Sequence, residues 1–122
     1  RALKRKQQIN VVDDQFRCPT LAEDLAQACW DVVDQKATGV FHVSGKEFLS
    51  ILELIYQIAD FWKLDKSLIS PIKTTSLNQA AKRPAKTRLN INKAITHFNY
   101  QPKSFHEGLT LVDKQLQNQK PQ

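Results

Sequence analysis

The chain has no methionine and, in 122 residues, three glycines, two cysteines and 8% aromatic residues. Gly39, Gly45 and Gly108 stand far apart. No glycine-rich turn can therefore open a helix after a strand and bring backbone against a pyrophosphate, as dinucleotide binding requires. Cys18 and Cys29 form no Cys-x-x-Cys and have no histidine at zinc spacing, which argues for two reduced thiols and against a metal site. A nucleophilic Cys18 beside Arg17 would need a base, and the sequence does not place His42, His97 or His106 beside it. No apolar run approaches the roughly 20 residues that span a bilayer. Arg1 to Ile9 is basic and polar without an apolar signal segment behind it, so the cytoplasm is the default location. The missing methionine and the start at Arg1 make a piece of a longer polypeptide the expectation.

What is present is a globular composition, 41% hydrophobic and 25% charged. At this length one core can bury about two-thirds of the unfolded surface, so residues 1–122 are expected to form a single unit. Ile9, Val11 and Val12 predict a strand, which Asp13, Asp14 and Gln15 break. Pro19-Thr20 opens a helix to about Gln35, with Thr20 and Glu23 as a capping box and Leu21, Leu25, Cys29 and Val32 as its apolar face. Thr38-Gly39 ends that helix, and Val40, Phe41 and Val43 predict a short strand. Ser50 and Glu53 form a second capping box before a face of Ile51, Ile55, Ile58 and Trp62. Leu68 to Lys73 is extended, and Pro71 suits an edge. Thr74 to Asn90 is polar and irregular, with a short helix around Ser76 to Ala81. Ile91, Ile95 and Phe98 predict another, closed near Asn99 and Pro102. Ser104 and Glu107 cap a terminal helix striped by Phe105, Leu109, Val112 and Leu116, after which Gln117 to Gln122 frays. The class is α/β and helix-rich, with two or three short strands and four to five helices.

The net charge is +6, and the basic excess gathers in Arg1, Lys4, Arg5 and Lys6 and again in Lys82, Arg83, Lys86 and Arg88. Such clusters fit a solvated face, a phosphate-bearing small ligand or nucleic acid. Aromatic residues are not interleaved with them as on a base-stacking platform, which ranks nucleic acid last. Asp13 and Asp14 point to opposite sides of a strand and read as turn formers rather than a catalytic pair. His42 reads as a core or rim imidazole of the second strand, and Ser44-Gly45-Lys46 as a turn. Arg17 stands in the first strand-to-helix turn, where a cation and free backbone donors together suit a phosphate.

Asp14-Gln15-x-x-x-Pro19-Thr20 followed by Asp24-Leu25-Ala26 resembles the C-terminal part of the dTDP-4-dehydrorhamnose reductase family of extended short-chain dehydrogenases. In the same order, Gly39 to Gly45 looks like the family's late sheet strand, Ser50 with Glu53 like the next helix start, and Ala81-Lys82-Arg83-Pro84 with Leu89 like its Arg-Pro segment. The likeness runs over residues 7 to 116. It implies the C-terminal, substrate-binding portion of a Rossmann-type reductase of nucleotide-linked 4-keto-6-deoxy sugars, whose N-terminal dinucleotide-binding half is missing. The family's catalytic Tyr-x-x-x-Lys is absent, for Tyr56 is followed at that spacing by Asp60 and Tyr100 by Ser104. No residue here is then catalytic or cofactor-binding. NADPH or NADH would serve the complete protein and would not bind this fragment.

In related nucleotide-sugar enzymes an Arg seven residues before the Asp of a similar Asp-Leu-Ala grips the diphosphate, and Arg17 stands seven before Asp24. Many dehydrorhamnose reductases carry Gly there. The resemblance thus implies a substrate site of Arg17 and Arg83 with Gln15 and Thr20. Its implied partners are a nucleotide sugar, the N-terminal half of the same protein and a second copy in a homodimer, with no membrane. Two other readings stand beside it. One is a non-catalytic relative like the regulatory subunit of methionine adenosyltransferase, acting by protein contact; the other is a basic nucleic-acid module.

Overall fold

In chain order the regular elements are β1 (Ile9–Val12), β2 (Phe16–Arg17), α1 (Ala22–Asp34), β3 (Leu49–Ser50), α2 (Ile51–Phe61), β4 (Ile69–Ile72), α3 (Asn92–Phe98) and α4 (Phe105–Asn118). The computed structural model describes residues 1–77, 81 and 83–118. Among the described residues, four short strands and four α-helices make the α/β class expected from the sequence. They fall into two compact units. The first joins Arg1–Arg17 to Leu49–Thr87, and the second joins Cys18–Phe48 to the described residues from Arg88 onward.

In the first unit β1 and β4 pair in parallel, from Ile9 opposite Ile69 to Val12 opposite Ile72. Pro71 faces Val11 and is tolerated because β4 has one hydrogen-bonded neighbour among the described strands. Helix α2 covers this pair. The core is Val11, Ala59 and Ile69, flanked by Ile9, Ile51, Leu52, Ile55 and Tyr56. The expected stripe through Ile58 and Trp62 is therefore corrected: the buried face runs through 51, 52, 55, 56 and 59. Ala59, fully buried, is the reason, since a methyl side chain lets the helix axis approach the sheet while larger neighbours fill the sides. The basic start is a single 3-10 turn, Leu3–Arg5, and Thr74–Ser76 is another. The short helix expected around Ser76 to Ala81 otherwise falls largely on residues 78–80, outside the described residues.

The Ser50 capping box forms. Glu53 N donates to Ser50 Oγ at 3.1 Å, and Ser50 N donates to Glu53 Oε2 at 2.7 Å. The matching box at α4 has Glu107 N donating to Ser104 Oγ at 3.2 Å and Ser104 N donating to Glu107 Oε2 at 2.7 Å. Ser50→Ala and Ser104→Ala should each cost about 1 kcal/mol, read as a lower urea midpoint at unchanged slope. No change in either would mean that the boxes do not hold in solution.

In the second unit the core is Ala28, Ala94, Phe98 and Tyr100, with Val32, Ala37, Phe41, Val43 and Ile91 packed on it. Here the expected face of α1 is corrected. Asp24 and Ala28 are its buried positions, while Leu25 is 45% exposed and Cys29 is exposed. Val32 packs on the core as expected, while two alanines, Ala28 on α1 and Ala94 on α3, sit in the core and let these helices pack closely in place of Leu25 and Cys29. The Thr20 capping box is corrected as well: α1 begins at Ala22 with Leu21 at its cap and no side-chain cap bond.

Val40 to Val43 forms no strand. An extended segment becomes one only when a neighbour takes up its backbone bonds, and no described residue offers that ladder. Lys93 Nζ donates to Val40 O at 2.8 Å and sits over the Phe41 ring. His42, expected on a buried strand, is consequently exposed. Asn99, left-handed at φ 55°, closes α3. Of the tail expected to fray, Gln117 and Asn118 are helical and the rest lies outside the described residues.

Candidate functional site

The turn after β1 is built from side chains that reach across the first unit to residues 73 and 74. Asp14 accepts from Thr74 N at 3.0 and 3.1 Å and from Thr74 Oγ1 at 2.5 Å. The carboxylate is held below its ordinary pKa chiefly by the Thr74 hydroxyl, then by the Thr74 backbone N–H. Asp13 instead pairs with Lys73 Nζ at 2.9 Å, and that bond raises the Lys73 pKa. The two aspartates thus take separate partners, as turn formers do. Gln15 is 7% exposed; its Nε2 donates to Thr74 Oγ1 at 3.0 Å and its Oε1 accepts from Arg17.

Arg17, at the end of β2, spends its guanidinium inside the first unit. Nη1 donates to Phe16 O at 2.6 Å and Ala85 O at 3.2 Å; Nη2 donates to Pro84 O at 2.9 Å and Gln15 Oε1 at 3.0 Å. The backbone reinforces this link, because Phe16 N donates to Ala85 O at 2.7 Å and Thr87 N to Phe16 O at 3.2 Å. Residues 84–87 are thereby laid alongside β2, with Phe16 and Lys86 as bridge partners and Lys86 Nζ 5.6 Å above the Phe16 ring. Arg83, exposed, is carried directly before this strap. Gln15 and Arg17 are thereby bonded in the first unit to the segment that follows Arg83. The carbonyls of Pro84 and Ala85 were not foreseeable as partners, since a backbone acceptor leaves no mark in side-chain identity.

Thr20 belongs to the second unit. Its hydroxyl donates to Cys18 O at 3.2 Å and accepts from Gly45 N at 3.0 Å, so it fixes the 44–46 turn instead of capping α1. Glu23 is taken by Gln115 Nε2. Asp24 is 6% exposed and accepts from Lys103 N at 2.7 Å and Lys103 Nζ at 2.6 Å, which raises the Lys103 pKa. The Tyr100 hydroxyl donates to Ser44 O at 3.2 Å, and burial followed by the Asp24 charge pushes its pKa up. Cys18 and Cys29 are free thiols, and no group of metal-ligating side chains occurs among the described residues. No helix among the described residues is long and apolar enough to cross a membrane.

Asp14, Glu53, Asp65 and Glu107 all have pKa values below their ordinary ones, each first through a serine or threonine bond. Groups depressed in the folded state add stability above their unfolded pKa values, near 4, and lose it as pH falls through the folded ones. Urea midpoints should accordingly drop as pH is lowered from about 5, and Glu53→Gln should flatten that drop. A midpoint that stays level down to about pH 3 would contradict these assignments.

A family model described as the RmlD substrate binding domain matches residues 1–118. The chain is 31% identical over 84 residues to methionine adenosyltransferase 2 subunit beta of Danio rerio, covering 65% of this chain and 26% of that protein. A solved dTDP-4-dehydrorhamnose reductase of Clostridium acetobutylicum is similar at TM-score 0.83 and 26% identity, over 94% of this chain and 41% of that one. The dTDP-4-dehydrorhamnose reductase of Bacillus anthracis in complex with NADP is similar at TM-score 0.79 and 26% identity, over 93% of this chain and 40% of that one. The chain therefore spans between 26% and 41% of the length of these three proteins.

Proposed function

The chain belongs to the family of RmlD substrate binding domains, and from that premise we propose that it is the substrate-binding portion of an NAD(P)-dependent reductase acting on a nucleotide-linked 4-keto-6-deoxy sugar. The observation that carries the reading is the strap of residues 84–87, tied to β2, with Lys86 in it and Arg83 directly before it. A sugar nucleotide presents a diphosphate, and a guanidinium answers it with a planar, paired set of donors. Arg83 is the residue we assign to that contact. Arg17 bonds Gln15 and the carbonyl of Pro84, the residue after Arg83; in the second unit Thr20 accepts from Gly45 N.

The nicotinamide cofactor, NADPH or NADH, is assigned to the remainder of the complete protein, since residues 1–122 contain no glycine-rich turn and no Tyr-x-x-x-Lys. The chemistry of hydride transfer is the cofactor's. This portion supplies grip and orientation of the sugar nucleotide. The N-terminal half of the same protein would bring the cofactor to the sugar nucleotide held here.

A second reading is favoured by the identity to methionine adenosyltransferase 2 subunit beta: a regulatory protein acting by contact with another protein. The nucleic-acid reading loses ground, because Lys86 lies over Phe16 and Arg88 over Phe48, so these aromatic faces are covered by cations rather than offered to bases. The test uses protein expressed from the complete reading frame, NADPH and dTDP-4-dehydrorhamnose. Consumption of NADPH that depends on the sugar nucleotide is expected. No consumption, together with a stable complex with methionine adenosyltransferase, would overturn the reductase reading in favour of the second.

A further inference from the structure

Arg17 is the residue that the sequence pattern offers first as a diphosphate ligand, yet each of its terminal nitrogens already donates to two acceptors of its own chain. Three of those acceptors are carbonyls, of Phe16, Pro84 and Ala85, and the fourth is Gln15 Oε1. Gln15 is itself buried and anchored on Thr74. The guanidinium therefore links a buried polar network on one side to the strap on the other. Two backbone bonds run in parallel with it, Phe16 N to Ala85 O and Thr87 N to Phe16 O. Residues 83–87 are exposed, and this bridge ties them to β2.

We propose that Arg17 is a positioning residue: its guanidinium clamps the strap of residues 84–87 to β2, so that Arg83 and Lys86 are preorganised for the diphosphate of a nucleotide ligand. This rests on the substrate reading given above and names how that site is held. Fixing two cations before the ligand arrives removes the entropy that ordering them would cost on binding. Lysine cannot replace Arg17 in this role, because one ammonium has three donors on a single nitrogen and cannot meet four acceptors shared between two.

The test uses the protein from the complete reading frame, thymidine diphosphate as probe, and amide hydrogen exchange. Arg17→Gln and Arg17→Lys should both speed exchange at the Phe16 and Thr87 amides and weaken thymidine diphosphate by about tenfold, with NADPH affinity unchanged. In an Arg83→Gln, Lys86→Gln background, adding Arg17→Gln should cost no further affinity, since a residue acting through others is silent once they are gone. A full additional loss in that background would mean that Arg17 touches the anion itself and would overturn the proposal. So would weaker binding without faster exchange, or faster exchange with binding untouched. If the unsubstituted protein does not bind thymidine diphosphate, the substrate reading fails and this proposal with it; binding that survives Arg17→Gln intact overturns this proposal alone.

Discussion

Gly45→Ala should destabilise the protein by about 3 kcal/mol or more, the upper end of what overpacking costs. Gly45 is buried, and its N–H donates to Thr20 Oγ1 at 3.0 Å. A Cβ at this position would run into the Pro19 carbonyl, with Pro19 C at 2.9 Å and the oxygen closer still. These are backbone atoms, which cannot rotate away as a side chain would, so either the 44–46 turn or the start of the α1 approach must move. Gly108→Ala is the matched control. Its Cβ would meet only Leu21 Cδ1 at 3.7 Å, an ordinary contact, and helix α4 should gain up to about 1 kcal/mol from the better helix former. Thermal and urea unfolding of both variants checks the pair, and equal effects would mean that the close approach at Gly45 is absent in solution.

Asp24→Ala should cost about 2 to 3 kcal/mol. The side chain is 5% exposed and joins α1 to the segment before α4 through two bonds from Lys103, one to its backbone N–H and one to its ammonium. Removing it strands the Lys103 N–H. The ammonium contributes less, because the Lys103 side chain is 45% exposed and regains water. Asp24→Asn keeps an oxygen for the backbone N–H and should lose less than the alanine variant. If alanine and asparagine cost the same, the backbone bond is not what makes Asp24 matter.

These two residues also show which features were legible in the sequence. Asp24 opens the Asp-Leu-Ala run that carries the family resemblance, and its structural task is to tie α1 to the segment before α4. The capping boxes at Ser50 and Ser104 were legible because each is closed by residues three apart. Thr20 and Glu23 have the same spacing, but Gly45 and Gln115 claim them from far along the chain. The strand over Ile9 to Val12 is written in β-branched residues, and it forms because Ile69 to Ile72 supplies its partner. Val40 to Val43 carries a similar apolar pattern and gains no partner among the described residues. Of the expected helix faces, Val32, Ile51 and Ile55 pack on the cores, while the buried alanines Ala28 and Ala59 were missed because a small side chain leaves little hydrophobic signal. For the candidate site, the geometry around Arg17 was not legible: the carbonyls of Pro84 and Ala85 that hold its guanidinium have no sequence signature.

Isothermal calorimetry of thymidine diphosphate and of NADPH, on the protein from the complete reading frame and its Arg83→Gln variant, tests the central claim most directly. The account predicts that Arg83→Gln weakens thymidine diphosphate by about tenfold or more and leaves NADPH unchanged, as loss of one charge-assisted contact to the diphosphate requires. Equal losses for both ligands, or none for either, would contradict the assignment of the Arg83 strap to the substrate.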